Sequence, residues 1–110
     1  MVPVEGEIVG YDPMFAVRRA AEAVAEAAKD VAGGHAAWDR PADAVNSLEQ
    51  MERLTVALAD LLRQQADALP GLTADPQAGD AAKLVSEAAA TAAKLVEQIR
   101  KAGGTARSVR

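Results

Sequence analysis

The chain has 110 residues, a formal net charge of −4 and no cysteine. Disulfides, zinc–thiolate sites and cysteine nucleophiles are therefore excluded. The 27 alanines outnumber the 23 Leu, Ile, Val and Phe residues taken together, so helices are favoured but each side chain buries little area. Because the net charge is acidic, we do not expect nucleic acid to bind over the whole surface.

The cellular context follows from two further absences in the sequence. No stretch reaches the ~18 consecutive apolar residues that a membrane-spanning helix needs. Residues 1–10 contain neither a basic segment nor a long apolar run, so they do not have the pattern of a secretory leader. We therefore expect a cytoplasmic protein with no membrane partner, with export without a leader as the alternative.

Residues 1–12 predict a short extended N-terminal arm. Val2, Val4 and Ile8 alternate with other residues, which is the spacing of a strand. A lone strand is not stable by itself. We therefore expect Val4 and Ile8 to contact a partner, for example by adding a strand to the edge of its sheet.

The first helix is predicted over residues 13–32. Asp12 followed by proline is a typical helix start, since the carboxylate caps free N–H groups and proline suits the first turn. The two glycines at 33–34 end the helix. Met14 and Phe15 are expected to enter the core.

The second helix is predicted over residues 41–69. Pro41 suits its first turn, and either Asp39 or Arg40 occupies the cap position. The Pro-Gly pair at 70–71 is expected to stop it. This helix carries most of the leucines, so it is predicted to be the central element.

The third helix is predicted over residues 81–102, after a loop over residues 70–80. Asp80 is expected to cap it, and the two glycines at 103–104 are expected to end it. Residues 103–110 then form a flexible basic tail.

Each predicted helix carries apolar residues that step by three and four, the spacing of one helix face. Short connections favour antiparallel neighbours, so the predicted fold is all-α, an up-down-up three-helix bundle. The three stripes are Met14, Val17, Ala21, Val24, Ala28 and Val31; Leu48, Met51, Thr55, Leu58, Leu62, Gln65 and Leu69; and Ala81, Leu84, Ala88, Thr91, Leu95, Ile99 and Ala102.

Three polar residues interrupt these stripes. Thr55, Gln65 and Thr91 would either fix the helix register from inside the core or face water at its boundary. Gln65 is the best candidate for a core position, because Leu62 and Leu69 flank it on the same face.

No pattern of catalytic or metal-binding residues stands out. His35 has Asp39 and Asp43 nearby in sequence, but a metal site needs more strong ligands at fixed geometry. Glu22 and Glu26, one helical turn apart, are interpreted as a solvated face. We predict no catalytic residue, no metal and no cofactor.

We predict a non-catalytic protein–protein interaction module, either a small adaptor or a self-associating accessory protein. Alanine-rich helices need a partner surface in water, so a protein partner or a second copy in a homo-oligomer is expected to cover the apolar faces. Trp38 would anchor a partner or, as the favoured interpretation, plug the end of the bundle. The candidate partner-binding residues are Val4, Ile8, Trp38, Leu54, Leu61, Ala89 and Ala93.

The C-terminal segment suggests an alternative, a nucleic-acid-associated regulatory accessory protein. Residues 80–110 hold six basic and three acidic side chains. So few cations would bind nucleic acid weakly and in a salt-sensitive way, and the helix dipole also favours cations near a C-terminus. The candidate anion contacts are Arg100, Lys101, Arg107 and Arg110.

Overall fold

The computed structural model describes residues 11–110, so the predicted arm contacts Val4 and Ile8 lie outside the described residues. Within that range the chain forms three α-helices, α1 (Pro13–Ala32), α2 (Pro41–Leu72) and α3 (Gln77–Ala106). The described residues contain no strand. The predicted all-α, three-helix class is confirmed. The chain divides into two compact units, Met1–Ala37 and Trp38–Arg110.

In the first unit, α1 has the predicted bounds. The Asp12 carboxylate accepts a hydrogen bond from the backbone N–H of Met14 at 2.9 Å, and proline occupies the first turn. At the other end, the Gly33 N–H donates to the Lys29 carbonyl at 2.9 Å. Gly34 follows with φ +80°, a conformation that glycine adopts without steric cost.

The prediction that Met14 and Phe15 enter a core is wrong. Both side chains are exposed, and no residue of α1 is buried. The described part of the first unit, residues 11–37, contains a single helix, and no second element there covers them. Phe15 instead has the Arg18 guanidinium 5.9 Å from its ring centroid, a cation–π distance.

In the second unit, α2 and α3 form an antiparallel hairpin. The two helices contact each other along their lengths and are joined by residues 73–76. Two ion pairs fix the direction: Glu49 pairs with Arg107, and Glu52, further along α2, pairs with Arg100, further back on α3. The N-terminus of α2 therefore lies beside the C-terminus of α3, an end we call the open end.

The predicted start of α2 is confirmed, and its predicted end is wrong. At the start, the Asp43 carboxylate accepts from the backbone N–H of Arg40 at 3.2 Å and from its guanidinium at 3.3 Å. At the other end, the helix continues through Pro70 to Leu72. Proline has a helical φ, but it removes one N–H donor and its ring crowds the carbonyl four residues earlier. These costs in the last turn do not end the helix here.

The helix α3 is longer than predicted at both ends. It begins at Gln77, where the Asp75 carboxylate accepts from the Gln77 N–H at 2.9 Å, so Asp75 and not Asp80 caps the first turn. It runs through the glycines at 103–104 to Ala106, where a flexible tail was predicted. Burial of Gly103 against α2 offsets the low helix propensity of two glycines.

The contact between α2 and α3 follows a seven-residue repeat with two positions per repeat, the pattern of a coiled-coil seam. Most of its side chains are small, which lets the two backbones approach closely. We call these buried and half-buried positions the seam. They are Val45, Leu48, Glu52, Thr55, Ala59, Leu62, Ala66 and Leu69 on α2, and Ala78, Ala82, Val85, Ala89, Ala92, Val96, Ile99, Gly103 and Ala106 on α3.

Candidate interaction surface

Many of the large apolar side chains of the hairpin lie outside the seam. On α2, Met51 and Leu58 each precede a seam residue by one position and are exposed. On α3, Leu84 and Leu95 likewise precede the seam residues Val85 and Val96 and are exposed. The stripes predicted from the sequence are therefore only partly the buried ones, and several of their longest side chains face outward.

These outward side chains share one side of the hairpin. On each helix the seam separates two flanks, and residues seven apart lie on the same flank. Glu49 and Arg107 meet across the seam at 3.1 Å, so the flanks that contain them lie on one side of the hairpin. The opposite flanks, which contain Leu58 on α2 and Leu95 on α3, must then share the other side.

We call this other side the apolar face. Its larger side chains are between 42% and 64% exposed, apart from Leu61, which is half-buried. These exposed side chains leave about half of their surface in water. The apolar face comprises Met51, Leu54, Leu58 and Leu61 on α2, and Leu84, Ala88, Thr91 and Leu95 on α3.

The opposite side carries the cross-helix ion pairs, and we call it the ion-pair side. Arg107 Nη2 lies 3.1 Å from Glu49 Oε1, and Arg100 Nε lies 3.1 Å from Glu52 Oε2. Arg100 Nη1 also contacts Glu97 on its own helix at 2.6 Å. Val56 is exposed on this side as an isolated apolar residue. The two sides of the hairpin therefore differ in polarity.

The three polar residues of the predicted stripes have different positions. Thr55 is the buried one, and its hydroxyl donates to the Met51 carbonyl at 2.7 Å, so no polar group is left unpaired there. Thr91 is exposed on the apolar face, where its hydroxyl donates to the Glu87 carbonyl at 3.1 Å. Gln65, the sequence-based candidate for the core, is exposed.

The predicted partner-binding residues are not gathered on one surface. Leu54 and Leu61 belong to the apolar face. Ala89 is buried in the seam, where α2 already covers it, and Ala93 is exposed on the ion-pair side. Trp38 is 50% exposed. Sequence reasoning did not choose Met51, Leu58, Leu84 and Leu95 for an interface, because it assigned them to the core.

The predicted anion contacts also differ from one another. Arg100 and Arg107 each pair with a carboxylate of α2, so part of their charge is already neutralised within the hairpin. Lys101 and Arg110 are exposed. Two of the four cations therefore have a role in joining the helices that does not require a nucleic acid.

A shallow cleft of about 190 Å³ lies at the open end of the hairpin. Its volume is below the ~300 Å³ at which small-molecule sites usually begin. It has no cluster of convergent polar groups. It is lined by Pro41, Ala42, Val45, Asn46, Ala106, Arg107 and Val109.

Other kinds of site find little support in residues 11–110. No group of three or more His, Cys, Asp or Glu side chains is placed to hold a metal ion in this range. None of the helices there combines the length and the apolar character required to cross a bilayer.

Comparison with known proteins adds no relative, because no family model, curated protein or solved structure matches the chain. Its function is therefore inferred from the residues themselves.

Proposed function

We propose that this chain is a non-catalytic protein–protein interaction module, a small adaptor or self-associating accessory protein, that binds through the apolar face. The observation that carries the proposal is the contrast between the two sides of the hairpin. Long apolar side chains are grouped on one side, and the cross-helix ion pairs lie on the other. A grouped apolar surface of this kind marks a binding site more often than scattered exposed residues do.

The energetics favour covering this face. Fully burying one leucine or methionine side chain contributes about 1.5–3 kcal/mol. The seam itself is built mostly from alanine and other small residues. The contact between α2 and α3 therefore contributes less stabilising free energy than a contact between leucine-lined helices would. A partner on the apolar face would bury Met51, Leu58 and Leu95 without disturbing that contact.

The first unit carries a further exposed apolar row that supports the same function. Met14, Val17, Val24 and Val31 lie along one side of α1, and all are exposed. The row has the spacing of a helix that packs on another surface. Binding through helix faces would therefore not be limited to the hairpin.

The test compares two matched variants in the native host. Leu58→Glu places a charge in the middle of the apolar face, whereas Val56→Glu makes the same kind of change on the ion-pair side. Both positions are exposed, so neither change should unfold the hairpin, which circular dichroism can verify. Tagged wild-type chain and both variants are purified, and co-purifying chains, including an untagged copy of the protein itself, are quantified by mass spectrometry.

The proposal predicts that wild type and Val56→Glu retain the same specific partners and that Leu58→Glu loses them. A charge buried without a pair would weaken such a contact strongly. Identical partner sets for the two variants, or no specific partner for the wild type, would contradict it.

A further inference from the structure

We propose that a second copy of this chain covers the apolar face, with the two hairpins packed antiparallel about a two-fold axis into four helices. This inference rests on the proposed function, since it names the partner for the same face. What points to a second copy is a row of charges along the outer border of that face.

The row lies on α3. Asp80, Glu87, Lys94 and Lys101 are seven residues apart, so they form one line along the helix, next to Leu84 and Thr91 of the apolar face. The two acidic residues lie toward the connector at 73–76, and the two basic residues lie toward the open end. None of the four forms a salt bridge within the described part of the chain. Their charges are therefore free to act on a partner.

This order of charges is complementary to itself when reversed. Antiparallel packing of two α3 helices would place Glu87 beside Lys94 of the second copy and Asp80 beside Lys101 of the second copy. Both pairs share one midpoint, between residues 90 and 91, so a single two-fold axis makes all four contacts at once. These positions flank the apolar contact, as charged residues flank a coiled-coil seam and set its orientation.

The alternative two-fold arrangement, with both connectors at the same end, has no such pairing. It would place the charge row of α3 beside the corresponding border of α2 in the second copy. At the heights of the four charges that border carries Gln50, Ala57, Gln64 and Gly71, which are uncharged. Its one charged member, Asp43, lies beyond them and is paired with Arg40. Electrostatic complementarity therefore favours the antiparallel arrangement.

The apolar residues of α2 fit the same axis. Counted along each helix from the Glu52–Arg100 pair, Leu61 lies at about the height of the midpoint on α3, so it would meet Leu61 of the second copy. Leu58 would then lie opposite Gln64 of the second copy, and Leu54 opposite Ala68 of the second copy. Large side chains would face smaller or more flexible ones, which is how facing layers fill space without overlap.

The test is sedimentation equilibrium of the purified full chain, with charge reversals that separate the arrangements. Wild type should show a monomer–dimer equilibrium. Glu87→Lys and Lys94→Glu should each weaken the dimer, on the order of tenfold at low salt, because each variant creates two like-charge contacts per dimer. The loss should shrink as salt rises. An equimolar mixture of the two variants should recover the wild-type affinity, since their heterodimer restores opposite charges at both contacts.

Two outcomes would overturn the inference. A wild-type chain that is monomeric at all concentrations shows that a different protein, or another part of the same chain, covers the face. A dimer that is insensitive to both reversals shows that the hairpins are not antiparallel. If the wild type is monomeric but Leu58→Glu still loses its partners in the native host, the self-association is contradicted and the proposed function is retained. If Leu58→Glu and Val56→Glu retain the same partners in the native host, both the self-association and the proposed function are contradicted.

Discussion

Arg100 joins the two helices of the hairpin, because its Nε lies 3.1 Å from Glu52 Oε2 while its Nη1 contacts Glu97 on its own helix. Glu52 occupies a seam position but reaches out of the seam toward this cation. The contact lies on the ion-pair side, opposite the apolar face.

The Arg100–Glu52 pair should contribute little to stability. Its side chains are 55% and 27% exposed, and exposed pairs typically contribute about 0.2–1 kcal/mol. We expect a double-mutant cycle with Arg100→Ala and Glu52→Ala to give a coupling free energy in that range, measured by urea unfolding. The coupling should fall at high salt, and a value that does not change with salt would contradict this assignment.

The seam should not accept large side chains where alanine now lies. Ala59 is buried between the helices, whereas Ala57 is exposed two positions earlier. Ala59→Leu should lower the free energy of unfolding by about 1–3 kcal/mol, because the helices must separate to admit it. Ala57→Leu, the matched control, should change it by less than about 0.5 kcal/mol. Similar changes in the free energy of unfolding for Ala59→Leu and Ala57→Leu would show that Ala59 does not lie in the seam.

The start of α3 gives a second pair of matched variants. Asp75 accepts from the Gln77 N–H, so Asp75→Ala should cost about 0.5–2 kcal/mol in the free energy of unfolding. Asp80 makes no cap contact and only complements the helix dipole from the first turn, so Asp80→Ala should cost less. Denaturant unfolding of both variants measures these losses. A larger loss in the free energy of unfolding for Asp80→Ala would show that Asp80 caps α3, as the sequence predicted.

The glycines near the end of α3 should be replaceable. Gly103 and Gly104 have no positive φ, and a Cβ at either position would meet nothing within 4 Å. Gly104→Ala should raise the free energy of unfolding by about 0.5–1 kcal/mol through helix propensity alone. Gly103→Ala should do the same despite the buried position of this residue. A loss of stability for Gly103→Ala would mean that α2 lies closer at this end than the hairpin shows.

The helices themselves could be predicted from the sequence because their signals are local. Asp12 with the following proline marked the start of α1, and the glycines at 33–34 marked its end. The same Asp-Pro signal recurs at Asp75 and Pro76, inside the segment predicted from the sequence to be a loop. The continuation of α3 to Ala106 accompanies the burial of Gly103 in the contact with α2, and a local sequence pattern does not contain such packing.

The buried face of each helix was harder to predict because the seam is built from small residues. Alanine is only weakly hydrophobic, so the leucines dominate a search for apolar stripes. Met51 and Leu58 were therefore assigned to the core, although Ala59 and Ala66 lie in it. The signal that was available is the unbroken seven-residue repeat from Ala78 to Ala106, which contains few large residues but has no gap.

Association of the chain with a second copy of itself through the apolar face is tested most directly by sedimentation equilibrium of Leu58→Glu beside Val56→Glu. The mass of wild type and of Val56→Glu should rise with concentration, whereas Leu58→Glu should stay a monomer of unchanged helix content. A mass that rises equally for both variants, or for none of the three proteins, would contradict it.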